Sequence, residues 1–312
     1  MKRELPLKDE FVEHYKDLLG EEYERFLEVS KKYPRKSIRV NTLKCDVEDL
    51  KSRLRDEWNL ESIPWCNEGF WLDYKDGQRF DVGNIPEHQL GYFYVQNASS
   101  MIPVEVLNPT PGSVVLDMCA APGSKTSQAA AKMNNKGLLV ANDSDARRLT
   151  PLGTNLQRCG VHNVIVTNNR GQDIKEDFKY DYVLVDAPCS GSGTIMKSLK
   201  VLEMWSEGFV ERMMNIQLML IKKGFRLLEP GGTLVYSTCT LEPMENEYVV
   251  NELLKEFNNA KIEDINLPIN RTKSFFKYKE HKFHPSLEKT LRINPQDNDS
   301  EGFFVSKISK AK

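Results

Sequence analysis

This chain of 312 residues has few of the features that assign a sequence to a class at a glance. Its six cysteines, at positions 45, 66, 119, 159, 189 and 239, form no C-x-x-C pair, and no histidine cluster lies near them. The usual zinc spacings are therefore excluded, as is a disulfide framework in a chain this long, and no metal is expected. No apolar run approaches the roughly 18 residues of a membrane span. Met1-Lys2-Arg3-Glu4-Leu5-Pro6 lacks the apolar stretch of a signal peptide, so a reducing cytoplasm is the expected location and no membrane is involved. The net charge is only −2, so no global positive field points to a polyanionic partner, and any such footprint must be local. There is no internal repeat and no low-complexity tract.

What remains is an ordinary globular composition, 40% hydrophobic and 28% charged, with room for a large domain and a smaller one. Residues 8–32 place Phe11, Tyr15, Leu18, Leu19, Tyr23, Phe26 and Leu27 at helical spacing, with Gly20 a break. Residues 37–43 alternate like a strand, Asp46 opens a helix with an acidic first turn, and residues 69–73 read as another short strand. This small α+β unit ends near residue 90, giving domains of 1–90 and 91–312. From residue 113 the pattern becomes strand, loop, helix, repeated. Strands are predicted at 114–116, 138–141, 164–166, 182–185 and 233–236. Helices are predicted near 125–133, 145–159, 207–228 and 245–257, the third with Phe209, Met213, Ile216, Leu220 and Phe225 on its apolar side. Such alternation means a doubly wound parallel sheet. Residues 291–293 and 302–308 can close it, the latter as a strand exposed on one side.

Ligands gather at the carboxyl ends of strands in such sheets. The first crossing, Asp117-Met118-Cys119-Ala120-Ala121-Pro122-Gly123-Ser124-Lys125-Thr126, packs small residues between a strand and its helix. It is neither G-x-G-x-x-G nor a Walker loop, but small residues let backbone N–H groups and a helix amino end approach a ligand. The next strand ends in Asn142-Asp143, where an acid reaches a ribose hydroxyl in Rossmann-type sites. Two more strands end in thiols, in Asp186-Ala187-Pro188-Cys189 and in Ser237-Thr238-Cys239-Thr240. A lone cysteine is more often a small buried hydrophobe. Two at strand ends, one three residues after a carboxylate, point to covalent chemistry, and the residues alone leave open which one attacks. Packing is the expected role of Cys119, and Cys45, Cys66 and Cys159 are taken as structural.

Three stretches, Asp117 to Thr126, Asp186 to Gly193 and Ser237 to Thr240, resemble the signature motifs of the NOL1/NOP2/Sun family of S-adenosylmethionine-dependent RNA cytosine-C5 methyltransferases. The likeness extends to Ile38-Arg39-Val40-Asn41-Thr42-Leu43-Lys44, to residues 94–103 and to Leu241-Glu242-Pro243-Met244-Glu245-Asn246-Glu247. The compact form is most similar to the archaeal members. The resemblance implies a Rossmann-like, seven-stranded α/β methyltransferase sheet with a small N-terminal α+β (RRM-like) domain. It implies S-adenosyl-L-methionine bound by Cys119, Ala120, Ala121, Pro122, Gly123, Ser124 and Lys125, with Asp143 on the ribose and Arg148 and Asp186 adding contacts. Many members carry an aspartate after the third strand for the adenine, and here Asn169 or Arg170 stands in its place.

Cytosine C5 is a poor nucleophile until a thiolate adds at C6 and turns the ring into an enamine. An acid at N3 eases that addition, and a base must later remove the C5 proton. Asp186 is placed for N3. The resemblance makes Cys239 the nucleophile and Cys189 the residue that helps break the adduct. The substrate it implies is RNA, with tRNA the first choice and rRNA the second, the target base unstacked to meet the thiol. Expected phosphate contacts are Lys31, Lys32, Arg35, Lys36 and Arg39, then Lys197 and Lys200. Lys273, Lys277, Lys279 and Lys282 surround Phe275, Phe276 and Tyr278, which can stack on bases. A monomer is expected.

Overall fold

A computed structural model describes residues 3–77 and 81–312. The amino-terminal amphipathic stretch forms α1 (Asp9–Leu19) and α2 (Tyr23–Ser30), and Gly20 breaks it with φ +54°. There follow β1 (Ser37–Val40), α3 (Val47–Leu54), β2 (Trp58–Ser62), β3 (Gly69–Tyr74), α4 (Pro86–Gln89), β4 (Phe93–Val95) and α5 (Ala98–Leu107). The alternating region gives β5 (Val114–Asp117), α6 (Ser124–Lys132), β6 (Leu138–Asn142), α7 (Leu149–Arg158), β7 (Val164–Thr167) and β8 (Tyr180–Asp186). Then come α8 (Lys200–Met204), α9 (Glu207–Leu227), β9 (Leu228–Thr238), α10 (Glu247–Glu256) and β10 (Ala260–Glu263). The chain closes with β11 (Lys277–Tyr278), β12 (His281–Lys282), β13 (Leu291–Ile293) and β14 (Phe303–Lys310).

Two compact units are built from this chain. One holds residues 35–186, 223–235 and 309–312; the other holds the residues up to Pro34 together with 187–222 and 236–308. The first contains a four-stranded antiparallel sheet, order β2-β3-β1-β4. Its core is Ile38, Val40, Leu50, Leu54, Trp58, Phe70, Leu72 and Phe93, all buried. The large sheet runs β10-β14-β9-β8-β5-β6-β7, seven strands on one path, with β13 beside β14 as an eighth. Pairing of β5 with β6 and β8, and of β6 with β7, is parallel; β13 with β14 is antiparallel. The expected Rossmann-like sheet is therefore present.

Some expectations fail for identifiable reasons. Residues 98–107 give no sequence signal for a helix because α5 has buried residues all round and carries Pro103. Asn97 starts it by accepting from the Ser99 amide. The strands β2, β4 and β10 span five, three and four residues, too short for their alternation to stand out. Residues 303–308 are not exposed on one side: β14 lies between β10 and β9, so Phe303, Phe304, Val305, Ser306 and Ile308 are all buried. The stripe on α9 holds only in its second half. Leu220 and Phe225 are buried as expected, but Phe209, Met213 and Ile216 are half-buried, and Val210, Met214 and Gln217 beside them are buried instead.

Candidate active site

In the first unit, the chain leaves β5 at Asp117 and enters α6 through Cys119–Gly123, the Ala121–Pro122 peptide being cis. Gly123 precedes the helix at φ +102°, a left-handed conformation that a side chain resists. Asp117 is buried. One oxygen accepts from Thr126 Oγ1 at 2.7 Å; the other, Oδ1, has no hydrogen-bond partner among the described residues. Burial raises this carboxyl to about 7, and the negative Asp186 adds to the effect. Burial also pushes the Cys119 thiol up, helped by Asp117, Asp186 and Asp143. Such a thiol stays protonated, as its expected packing role requires.

Asp143 directly follows β6 and turns back on the loop. Its Oδ2 accepts from the Ala121 amide at 3.1 Å and lies 3.3 Å from Arg148 Nη1, whose other nitrogen donates to the Ala121 carbonyl. Lys125 Nζ donates to Ser100 Oγ at 2.8 Å and pairs with Asp186 Oδ2 at 2.8 Å. Cys119–Lys125, Asp143, Arg148 and Asp186 are thus brought together in one unit. After β7, Asn169 is held through its backbone: the Asn142 side chain accepts from its amide and donates to its carbonyl. Arg170 turns to Asp173 at 2.7 Å.

Arg39 corrects an expectation. It is buried, not phosphate-facing: its guanidinium donates to Gln96 Oε1, to the Ser124 carbonyl at 2.8 Å and to Ser127 Oγ at 2.9 Å. The small sheet therefore grips the amino end of α6 through Arg39. Asn41, on the same motif, donates to the carbonyls of Gly91 and Cys159. Arg35 is likewise engaged, paired with Glu61 and Asp73.

In the second unit, Cys189 and Cys239 are half-buried with their sulfurs 3.2 Å apart. The glycines of Ser190-Gly191-Ser192-Gly193 permit that approach. The Gly193 amide donates to the Cys239 carbonyl at 3.0 Å, and a Cβ there would lie 2.4 Å from the Gly302 oxygen and 2.8 Å from the Cys239 oxygen. The Cys189 thiol is pushed well up, first by its hydrogen bond to Cys239, then by burial and by the charges of Cys239 and Glu245.

The acids after Cys239 find partners far away in the chain. Glu242 accepts from His14 Nε2 at 2.9 Å, Tyr15 OH at 2.5 Å and Trp205 Nε1 at 2.9 Å, within the core of Phe11, Tyr15, Phe26 and Trp205. Glu247 pairs with buried Arg292 at 2.7 Å. Glu245 accepts from the Ser190 amide at 2.9 Å and from Gln217 Nε2 at 2.7 Å. None of these roles is legible in the sequence. The available signal was Gln217, a polar residue on the buried face of α9. Lys197, Lys200, Lys273, Lys277 and Lys282 are exposed, Lys279 pairs with Glu207, and Phe276 stands half-exposed.

Residues 104–309 match the family described as 16S rRNA methyltransferase RsmB/F, and residues 7–98 match the N-terminal domain of 16S rRNA methyltransferase RsmF. The chain is 42% identical over 301 residues to the tRNA (cytosine(49)-C(5))-methyltransferase of Pyrococcus abyssi, covering 96% of this chain and 95% of that protein. It is also 42% identical over 308 residues to ribosomal RNA small subunit methyltransferase F of Erwinia tasmaniensis, covering 96% of this chain but only 63% of that longer protein. A crystallised methyltransferase homolog protein from Pyrococcus horikoshii superposes with a TM-score of 0.87 at 36% identity, over 98% of this chain and 96% of that one. NSun6 from Pyrococcus horikoshii, crystallised with SFG, shares the fold at a TM-score of 0.85 and 24% identity, over 98% and 99% of the two chains. Members of the RsmB/F family use S-adenosylmethionine. The chain belongs to the RsmB/F (NOL1/NOP2/Sun) family of methyltransferases.

Proposed function

We propose that this protein methylates C5 of a cytosine in RNA, with tRNA as substrate, through a covalent bond between Cys239 and C6 of the base. The observation that carries this reading is the pair of sulfurs 3.2 Å apart on the loops that follow neighbouring strands β8 and β9. One thiol suffices for a nucleophile and none is needed for simple methyl transfer to an amine or hydroxyl. Two in contact fit a reaction that makes and then breaks a carbon–sulfur bond. The tRNA assignment is supported by the relative named as a tRNA (cytosine(49)-C(5))-methyltransferase, 42% identical over 96% of this chain. Ribosomal RNA is the second reading. The protein acts as a cytoplasmic monomer, with residues 1–90 contacting RNA and 91–312 carrying the chemistry.

The residues present fit S-adenosylmethionine. The unpartnered Asp117 Oδ1, buried at the head of the loop, suits a cationic donor such as an amino-acid ammonium. The amino end of α6 suits a carboxylate, and Asp143 suits ribose hydroxyls. Cys119, Ala120, Ala121, Pro122, Gly123, Ser124 and Lys125 would line that site with Arg148 and Asp186. When bound, the cofactor supplies the electrophilic methyl group that C5 accepts. Cys239 adds as thiolate to C6, and Asp186, paired with Lys125 at 2.8 Å, relays a proton from that ammonium to N3, where negative charge develops on addition. A base then takes the C5 proton, the C5–C6 double bond reforms and the C6–S bond breaks to return Cys239 as thiolate, with Cys189 acting in this second half. Exposed Lys197, Lys200, Lys273, Lys277 and Lys282 meet phosphates, and Phe276 stacks on an unpaired base.

Incubation of each variant with S-adenosylmethionine and RNA, read on a denaturing gel, tests the assignment. Cys239→Ala gives no protein–RNA adduct even with 5-fluorocytidine RNA, while Cys189→Ala accumulates adduct on ordinary RNA. No label in RNA and no adduct from the wild type overturns the reading. Bisulfite sequencing of RNA from a deletion strain separates tRNA from rRNA.

A further inference from the structure

The acids of the Leu241–Glu247 motif are not equivalent. Glu242 is satisfied by His14, Tyr15 and Trp205, and Glu247 is neutralised by Arg292. Glu245, wholly buried, has no lysine or arginine partner among the described residues. Its carboxylate instead touches the residues that flank both thiols. Oε2 accepts from the amide of Ser190, the residue after Cys189, and from Gln217, which also donates to the carbonyl of Pro188, the residue before it, at 2.8 Å. Oε1 lies 3.4 Å from the hydroxyl of Thr240, the residue after Cys239. That hydroxyl meets Ser190 Oγ at 2.7 Å and Ser192 Oγ at 3.0 Å, and the Glu245 carbonyl accepts from Tyr236 OH at 2.6 Å.

We infer that Glu245 is a positioning residue for both thiols: it locks the Cys189 and Cys239 loops in one register and keeps their shared proton on Cys189, leaving Cys239 the nucleophile. The inference rests on the proposed function for its meaning in catalysis, but its physical content does not. Sulfurs at 3.2 Å cannot both be ionised, so one donates to the other. Burial raises the Glu245 carboxyl to about 7, so above that pH it carries a charge with no cation beside it and disfavours a second negative charge nearby. Its Oε2 sits 2.9 Å from the amide after Cys189, closer than Oε1 at 3.4 Å from the hydroxyl after Cys239, and the Cys189 thiol is the one pushed up. The groups facing this cluster are the two thiols, Glu242 with its partners, and the neutral Ser190, Ser192, Gln217, Thr240 and Tyr236. None of these supplies a positive charge to offset Glu245 directly.

The test is alkylation of the free protein by iodoacetamide across pH 6–10, with each cysteine followed by mass spectrometry. In the wild type, Cys189 reacts about tenfold more slowly than Cys239 near pH 7.5, because the Cys189 thiol is pushed up. Glu245→Gln keeps the shape and an acceptor but removes the charge, so the Cys189 profile moves to lower pH by about one unit and the preference for Cys239 shrinks severalfold. Glu245→Asp keeps the charge and retains the wild-type preference. A merely structural role predicts the same pH profiles for Glu245→Gln as for the wild type, and that result overturns the inference. Faster alkylation of Cys189 in the wild type also overturns it, and this holds even if Glu245→Gln fails to fold. Because no RNA is present, failure of the proposed function is read separately, by the absence of a wild-type RNA adduct.

Discussion

Replacing Gly193 by alanine puts one methyl group where two backbones meet. The added Cβ would sit 2.4 Å from the Gly302 oxygen and 2.8 Å from the Cys239 oxygen. Ordinary C···O contacts lie at about 3.3–3.6 Å, so one backbone must retreat by close to 1 Å. Neither neighbour is the free end of a flexible side chain. The retreat stretches the hydrogen bonds from the Gly193 amide to the Cys239 carbonyl, 3.0 Å, and from the Gly302 amide to the Gly193 carbonyl, 2.9 Å. Each is worth about 1 kcal/mol net, and overpacking strain adds about 1–3 kcal/mol. A loss of about 3–5 kcal/mol corresponds to a melting midpoint roughly 5–10 °C lower. Catalysis should suffer more than stability, since displacement of a reacting group by about 1 Å costs on the order of 100-fold. The assay is the rate of adduct formation with 5-fluorocytidine RNA in single turnover, beside differential scanning calorimetry. An adduct rate within twofold of wild type would refute the view that Gly193 sets the position of Cys239.

Other substitutions probe the first unit. Arg39→Met strands the acceptors on Gln96, Ser124 and Ser127, and should cost about 2–4 kcal/mol in urea denaturation while weakening cofactor binding about tenfold in titration calorimetry. Asp143→Asn keeps one acceptor for the Ala121 amide but loses the charge opposite Arg148, and a cofactor Kd raised roughly 10-fold or more is expected. Asp117 is held up at about 7 in the folded chain, against an unfolded carboxyl near 4. Its raised value means folding favours the protonated form, so its stabilising contribution is complete below about pH 4 and is lost as the pH rises through 7. Asp117→Asn should therefore flatten the fall in stability between pH 4 and 8 by on the order of 3 kcal/mol, measured by chemical denaturation at several pH values. An unchanged pH dependence would count against a buried, strained carboxyl.

The parts of this protein that were legible are those in which short-range chemistry decides. Apolar runs bounded by turn residues marked β5, β6 and β8, because a strand buried on both faces needs nothing but local hydrophobicity. Small residues between β5 and α6, an acid at the end of β6, and thiols after β8 and β9 marked the site, because position along the chain sets which strand end carries them. The helix α5 was invisible for the converse reason: buried on all sides, it has no polar face to give a period.

Composition and order along the chain by themselves determined an α/β sheet, a cofactor loop and two cysteines at strand ends. They could not say that Arg39 turns inward, since a basic residue in an alternating strand reads as exposed until its partners Ser124 and Ser127 are known. They could not apportion the acids after Cys239, because His14 lies 228 residues from Glu242 and Arg292 lies 45 from Glu247. Nor could they bring two sulfurs 50 residues apart to 3.2 Å, or place a buried carboxylate against the loops of both. Those pairings depend on which strands become neighbours and how closely glycine lets their loops approach. Folding decides both through long-range contacts that leave no periodic mark on the chain.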